Sequence, residues 1–124
     1  MTQTILVTGA TSGFGRACAE RFGAEGHRLI LAGRRRDRLS EVKAALAGRA
    51  EALTLPLDVR DRKAVFAALG SLPDPFREVD VLVNNAGLAL GLEPAQAADL
   101  DDWETMVDTN IKGLCYLTRC LLPS

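Results

Sequence analysis

A chain of 124 residues, 48% hydrophobic and 25% charged, has the make-up of a globular domain, which excludes a disordered chain and a membrane-embedded one. With 15 Lys and Arg against 16 Asp and Glu, the formal net charge is -1, which excludes a global field able to hold nucleic acid or an anionic membrane. Any anion site has to be local.

Met1 to Val7 carries no basic stretch and only a short apolar run, so it reads as a first strand, not a signal peptide or a membrane span. The apolar run Ile5-Leu6-Val7 ends at Thr8-Gly9, as a strand buried on both faces would. A helix follows from Phe14 to about Glu25, with Gly26 placed to end it, and Leu29 to Ala32 is a second buried strand. From Asp37, a plausible N-cap, Leu39, Val42 and Leu46 recur at helical spacing. Ala52 to Leu57 is a third strand whose Pro56 suits an edge position. Val65, Ala68 and Leu69 mark a short helix, and Val79 to Val83 is a fourth strand ending in Asn84-Asn85-Ala86-Gly87. A long helical pattern then runs from about Asp101 to Leu122, with Trp103, Val107, Leu114, Leu117 and Leu121 at helical spacing and Pro123 closing it. Strands alternating with helices predict an α/β fold with a doubly wound parallel sheet of Rossmann type, strand order 3-2-1-4. Cys18, Cys115 and Cys120 show no C-x-x-C spacing and fall among apolar neighbours. They are expected to be reduced, buried thiols of a cytoplasmic protein, with neither a disulfide frame nor a metal site.

Five places carry chemistry. Thr8 to Gly15, T-G-x-x-x-G-x-G, lies between the first strand and the first helix, where backbone N–H groups and the positive helix end can hold a pyrophosphate. It lacks both the G-x-G-x-x-G spacing of other dinucleotide folds and the Gly-Lys-Ser/Thr ending of a P-loop. After the second strand, where the adenosine ribose is met, Gly33-Arg34-Arg35-Arg36-Asp37-Arg38 offers arginine in place of an acidic residue. Arg34 and Arg35 are therefore candidates for the 2′-phosphate of NADP(H), and Arg36 and Arg38 for a solvated helix start. At the ends of the third and fourth strands, Asp58 could accept from an adenine amino group, and Asn84-Asn85-Ala86-Gly87 could tie strands together while leaving room for a ribose. Asn110, in Asp108-Thr109-Asn110-Ile111-Lys112-Gly113, sits inside a helix against its own preference, which marks it as a candidate functional residue.

These segments, in this order along the whole chain, resemble the short-chain dehydrogenase/reductase family. The stretches from Gly9 to Arg16, Ala32 to Arg35, Asn84 to Ala95 and Asp101 to Leu114 are similar to its bacterial NADP-dependent 3-hydroxy acid dehydrogenases, which oxidise serine, allo-threonine and small 3-hydroxy acids. The resemblance implies an oxidoreductase that transfers hydride between NADP(H) and a small 3-hydroxy acid or related alcohol or carbonyl. It places Gly9, Thr11, Ser12, Gly13, Phe14 and Gly15 along the pyrophosphate, Arg34 and Arg35 at the 2′-phosphate, Asp58 and Val59 at the adenine, and Asn85, Ala86 and Gly87 at the ribose. Asn110 becomes the family's helix-kinking asparagine, which holds a water of the proton relay and so counts as catalytic.

The family's serine and Tyr-x-x-x-Lys motif would lie beyond Ser124, and Tyr116 is no substitute because Cys120 stands where lysine would. Residues 1–124 are accordingly expected to be the N-terminal half of a single NADP-binding domain, ending after the fourth strand and its following helix and inactive alone. The fourth strand should then expose its edge, and the apolar face of Leu114, Leu117 and Leu121 should seek a partner, since the family forms dimers or tetramers through this helix. The expected partners are a small-molecule substrate and further copies of the chain, with no nucleic acid and no membrane. Two other classes stand beside this reading: a non-catalytic NADP-binding or interaction module, which would bind without turnover, and a methyltransferase, which would want an acidic residue after the second strand.

Overall fold

The computed structural model describes residues 1–88 and 90–122. Among the described residues, four strands form one parallel sheet in the order β3-β2-β1-β4: β1 (Thr4–Thr8), β2 (Arg28–Gly33), β3 (Ala52–Pro56) and β4 (Val81–Val83). Helices α1 (Gly13–Ala24), α2 (Arg36–Leu46) and α3 (Arg62–Gly70) alternate with them, and β4 is followed by α4 (Leu100–Val107), a π-helical turn (Asp108–Gly113) and α5 (Leu114–Leu121). This is the Rossmann-type order expected from the sequence, with Pro56 on the edge strand.

Successive strand side chains point to opposite faces, and that alternation divides the core. Ile5, Val7, Leu29 and Leu31 pack with Ala19 of α1 and with Leu39, Val42 and Leu46 of α2. Leu6, Ile30 and Ala32 pack on the other face with Val65 of α3 and Leu117 of α5. Both faces of β1 and β2 are covered, so these strands read as unbroken apolar runs. Each Leu or Ile buried this way contributes about 1.5–3 kcal/mol.

Local chemistry sets the helix ends. At the end of α1 the Gly26 N–H donates to Gly23 O at 3.0 Å and the His27 N–H to Phe22 O at 3.2 Å. This is the two-bond pattern of a Schellman cap, and the Phe22 and His27 rings meet edge to face across it. Asp61 caps α3 by accepting from the Ala64 N–H at 3.1 Å.

Several expectations are corrected. Arg35 is the N-cap of α2, and Asp37 falls in its first turn, where a carboxylate complements the helix's positive end without capping it. The fourth strand, Val81–Val83, is shorter than its apolar run, and Asp80 just before it is held to β1 by two bonds, its N–H donating to Thr4 O and its carboxylate accepting from the Thr4 N–H, both at 2.8 Å. The long helix begins at Leu100 behind Asp99, whose side chain accepts from the Asp101 N–H at 2.8 Å, and the π turn interrupts it. Its closing by Pro123 lies outside the described residues. Leu114, Leu117 and Leu121 do not form a free face: Leu117 is fully buried and Leu121 packs on the same cluster, because the buried stripe of α5 is Tyr116, Leu117, Cys120 and Leu121. Leu114 lies at its margin and is exposed together with Trp103, Val107 and Ile111. The cysteines are free, but Cys115 is exposed and Cys18 and Cys120 are only partly buried. Among the described residues no helix is long and apolar enough to cross a membrane.

Candidate functional site

The strand register gathers the site. Val7 pairs with Val83, Thr8 with Ala32 and Gly33 with Pro56, so all four strands finish along one edge of the sheet. Ligands of open α/β sheets bind outside this edge. The loops that leave it line a cavity of about 490 Å³. Gly9 and Thr11 come from the β1 loop, Arg34, Arg35 and Arg38 from the β2 end, Leu57 to Arg60 from the β3 loop, Ala86 to Leu88 from the β4 loop, and Thr109 from the π turn.

The floor is packed backbone. Gly9 turns the chain with φ +61°, a conformation that side chains resist. Gly15, the first buried residue of α1, lies directly under this turn, where a Cβ would collide with Gly9 O and come within 2.5 Å of Asn85 Nδ2. Asn85 donates to Gly9 O at 3.2 Å and so ties the β1 and β4 loops together. Thr8 adds a second tie: its buried hydroxyl accepts from the Asn85 N–H at 2.9 Å and the Ala86 N–H at 2.8 Å, and its own proton is directed at Val83 O at 3.3 Å. Gly15 and Asn85 thus shape the site from behind and do not line it.

Ser12 precedes α1 in extended conformation and makes no side-chain cap. The first-turn N–H groups of this 12-residue helix therefore remain available to an anion, at the positive end of the helix. Gly13, with φ +57°, has open space where a Cβ would be, and Phe14 is 85% exposed. Ser12, Gly13 and Phe14 stand at the mouth of the turn, outside the lining of the cavity.

The rim is cationic. Arg34 and Arg35 lie exposed at the β2 end and reach the cavity, and so does Arg38, which the sequence had assigned to a solvated helix start. Arg38 reaches it because α2 begins at Arg36 and turns its first turn over the sheet edge. Arg60 completes the ring, its guanidinium meeting Asp58 Oδ2 at 2.7 Å through Nη2 and 3.1 Å through Nε. The Arg60 N–H also donates to Asp58 Oδ1 at 3.0 Å. Hydrogen bonding from Arg60 holds the Asp58 carboxyl below its ordinary value of 3.8, with Arg34 adding to the effect, and the same pairing raises Arg60. A carboxylate offers about four lone-pair sites, and Arg60 meets the Asp58 oxygens in four contacts, Nε reaching Oδ1 at 3.0 Å as well, so any further donor has to share an oxygen with Arg60. Val59 is buried next to it.

Asn110 does not line the cavity. Its Oδ1 accepts from the Leu88 N–H at 2.8 Å and its Nδ2 donates to Leu88 O at 2.8 Å, so the amide clamps the β4 loop to the π turn. Asn84 anchors the same loop to α5 by donating to Thr118 Oγ1 at 3.1 Å.

These residues fit an adenine dinucleotide on three counts: a side-chain-free floor at a helix N-terminus, a cluster of guanidinium groups at the β2 end, and a buried Thr109 hydroxyl without a partner among the described residues. Sequence reasoning missed Thr8, Arg60 and Thr109. A trace of Arg60 was present in Asp58-Val59-Arg60, where an Asx-type turn brings a basic side chain back onto its carboxylate. Thr8 opens the T-G-x-x-x-G-x-G motif, but its tie to Asn85 and Ala86, like the place of Thr109, depends on distant elements meeting.

A family model described as short chain dehydrogenase matches residues 3–124. Sulfoacetaldehyde reductase 2 of Chromohalobacter salexigens is 56% identical over 124 residues, all of this chain and 49% of that protein. The NADP-dependent 3-hydroxy acid dehydrogenase YdfG of Salmonella typhi is 56% identical over 119 residues, 96% of this chain and 47% of that protein. A crystallographic closed form of serine dehydrogenase complexed with NADP+ is 52% identical and superposes with a TM-score of 0.90, covering 98% of this chain and 48% of that one. The chain thus spans about half the length of the curated relatives it matches.

Proposed function

The chain belongs to the short-chain dehydrogenase family, and from that premise we propose that residues 1–124 supply the NADP(H)-holding half of a single catalytic domain, in an oxidoreductase acting on a small 3-hydroxy acid or a related alcohol or carbonyl. The observation that carries the reading is one cavity lined both by Gly9 and Thr11 of the glycine turn and by the arginines after β2, with the uncapped N-terminus of α1 at its mouth. A dinucleotide with a 2′-phosphate has anionic groups to match both.

In this reading Gly9 to Gly15 and the first turn of α1 hold the pyrophosphate, and Arg34 and Arg35, joined by Arg38, hold the 2′-phosphate. Guanidinium suits the latter because its planar fork binds phosphate oxygens in pairs and never loses its charge. Asp58, kept ionised by Arg60, accepts from the adenine amino group, with Val59 against the ring. Asn85 works from behind the floor, while Ala86 and Gly87 face the ribose. Asn110 fixes Leu88, and hence the wall of the cavity, through its two bonds. When bound, NADP(H) supplies the hydride donor or acceptor. A reductase of sulfoacetaldehyde and a dehydrogenase of 3-hydroxy acids both handle small molecules bearing an acid group, which supports a substrate of that class here.

Self-association belongs to the same reading, as a homodimer or homotetramer. The exposed stripe of Trp103, Val107, Ile111 and Leu114 along α4, the π turn and α5 supports it. Three free cysteines support residence in the cytoplasm. The test is to supply the full-length protein that carries residues 1–124 with NADP+ and serine or 3-hydroxybutyrate, and with NADPH and sulfoacetaldehyde, and to follow the absorbance of the reduced nicotinamide. Turnover favouring NADP(H) over NAD(H) is expected; NADPH binding without turnover on any of these would favour the module reading, and absence of binding would overturn both.

A further inference from the structure

One polar group of the cavity is matched to no part of the ligand in the reading above. Thr109 is only 8% exposed, lines the cavity, and its Oγ1 has no hydrogen-bond partner among the described residues. Burying a hydroxyl unpaired costs its hydration with nothing in return. A threonine in a helix has an easy remedy, donation to the carbonyl four residues back, and its neighbours take it. Thr105 Oγ1 donates to Asp101 O at 2.9 Å and Thr118 Oγ1 to Leu114 O at 2.8 Å. Thr109 makes no such bond, and it lies in the π turn, a departure from α-helix that recurs at functional sites.

The surroundings keep the backbone of the turn where it is, while the threonine side chain is free to change rotamer. Immediately after Thr109, Asn110 is clamped to Leu88 by two bonds. At the far end of the turn, Gly113 sits so close to Val59 that a Cβ would approach Val59 Cγ2 to 2.6 Å. The turn is thus pinned to the β4 loop on one side and to the β3 loop on the other, and Thr109 occupies the wall between the residues assigned to adenine and those assigned to ribose.

We propose that Thr109 is a binding residue for the adenosine part of the dinucleotide: rotation about its Cα–Cβ bond turns Oγ1, occluded in the free protein, toward the cavity, where it pairs with a polar atom of the base or its ribose and gains the hydrogen bond it lacks. This rests on the dinucleotide reading of the cavity. The cost of an unpaired hydroxyl in the empty pocket is then offset on binding, so Thr109 favours ligand occupancy at the expense of the free fold.

Thr109→Val keeps the shape and removes the hydroxyl; Thr109→Ser keeps the hydroxyl. Calorimetric affinities for NADPH and for adenosine 2′,5′-bisphosphate, which lacks the nicotinamide half, are measured on the wild type and both variants, with the melting temperature of each ligand-free protein. The Val variant should bind both ligands about 3- to 10-fold more weakly, as the loss of one neutral hydrogen bond implies, while its ligand-free form melts no lower than wild type. The Ser variant should recover most of the affinity. Wild-type affinity in the Val variant overturns the proposal alone, and so does a lowered ligand-free melting temperature, which would reveal an internal partner for the hydroxyl. A wild-type protein that binds neither ligand overturns the cavity reading, and this proposal with it.

Discussion

The floor and the rim of the cavity are built by opposite means. Under the glycine turn, Thr8, Gly9, Gly15 and Asn85 interlock through buried backbone contacts, and the same bonds that shape the floor join β1 to β4. At the rim, Arg34, Arg35, Arg38 and Arg60 project from loop ends and hold little of the core together. The floor's geometry therefore cannot change without cost to the fold, whereas the rim can change which ligand is favoured at little cost to stability. Selectivity belongs in the rim because that is where a change is tolerated.

The contrast can be broken most sharply at Gly15. Gly15→Ala places a methyl group against Gly9 O and Asn85, and overpacking of this kind should destabilise the protein by about 2–3 kcal/mol, seen as a lower melting temperature together with lost nucleotide binding. An alanine variant with wild-type melting and binding would show that the floor is not rigid. Thr8→Val comes next. It leaves the Asn85 and Ala86 N–H groups without their acceptor, at a cost of about 1–3 kcal/mol in urea unfolding, and Thr8→Ser should restore most of it. If Val proves harmless, the tie between β1 and β4 is made elsewhere.

The smallest effect is expected at the rim. Asp58 has a lowered native pKa, caused first by the hydrogen bond from Arg60. Its stabilising contribution is therefore present above the ordinary value of 3.8 and is lost as pH falls through the lowered native value. Because the pair is about one-third exposed, its worth should not exceed roughly 1 kcal/mol and should shrink with salt. Urea titrations of wild type and Arg60→Ala across that pH range check this; a difference that grows on acidification would have the wrong sign.

The parts of the molecule that were legible in the sequence are those whose pattern is local. Ile5 to Val7 and Leu29 to Ala32 announce buried strands because both their faces are covered, and Gly26 announces the end of α1 because the Schellman cap needs a left-handed residue there. Leu39, Val42 and Leu46 give α2 by spacing alone. Periodicity hid the π turn, since Trp103, Val107 and Leu114 keep a helical rhythm through it, and only the resemblance, with its helix-kinking asparagine at Asn110, pointed to an interruption there. Within the site, the glycine turn and Arg34 and Arg35 could be placed by their position after a strand. Arg38 needed the true start of α2, Arg60 needed its turn back onto Asp58, and Thr109 needed the meeting of the β3 and β4 loops with the π turn. The clamp that the Asn110 amide makes on the Leu88 backbone was not legible either, since it depends on the β4 loop meeting the π turn.

The division of labour between floor and rim is tested most directly by measuring Kd for NADPH and NADH on the wild-type protein and on the Arg34→Ala, Arg35→Ala double variant, with melting temperatures alongside. The wild type should prefer NADPH, and the double variant should lose at least about tenfold in NADPH affinity, as removal of charge-assisted bonds to a phosphate implies, with NADH affinity and melting temperature nearly unchanged. Equal loss for both cofactors, or a collapse in stability, would contradict the account.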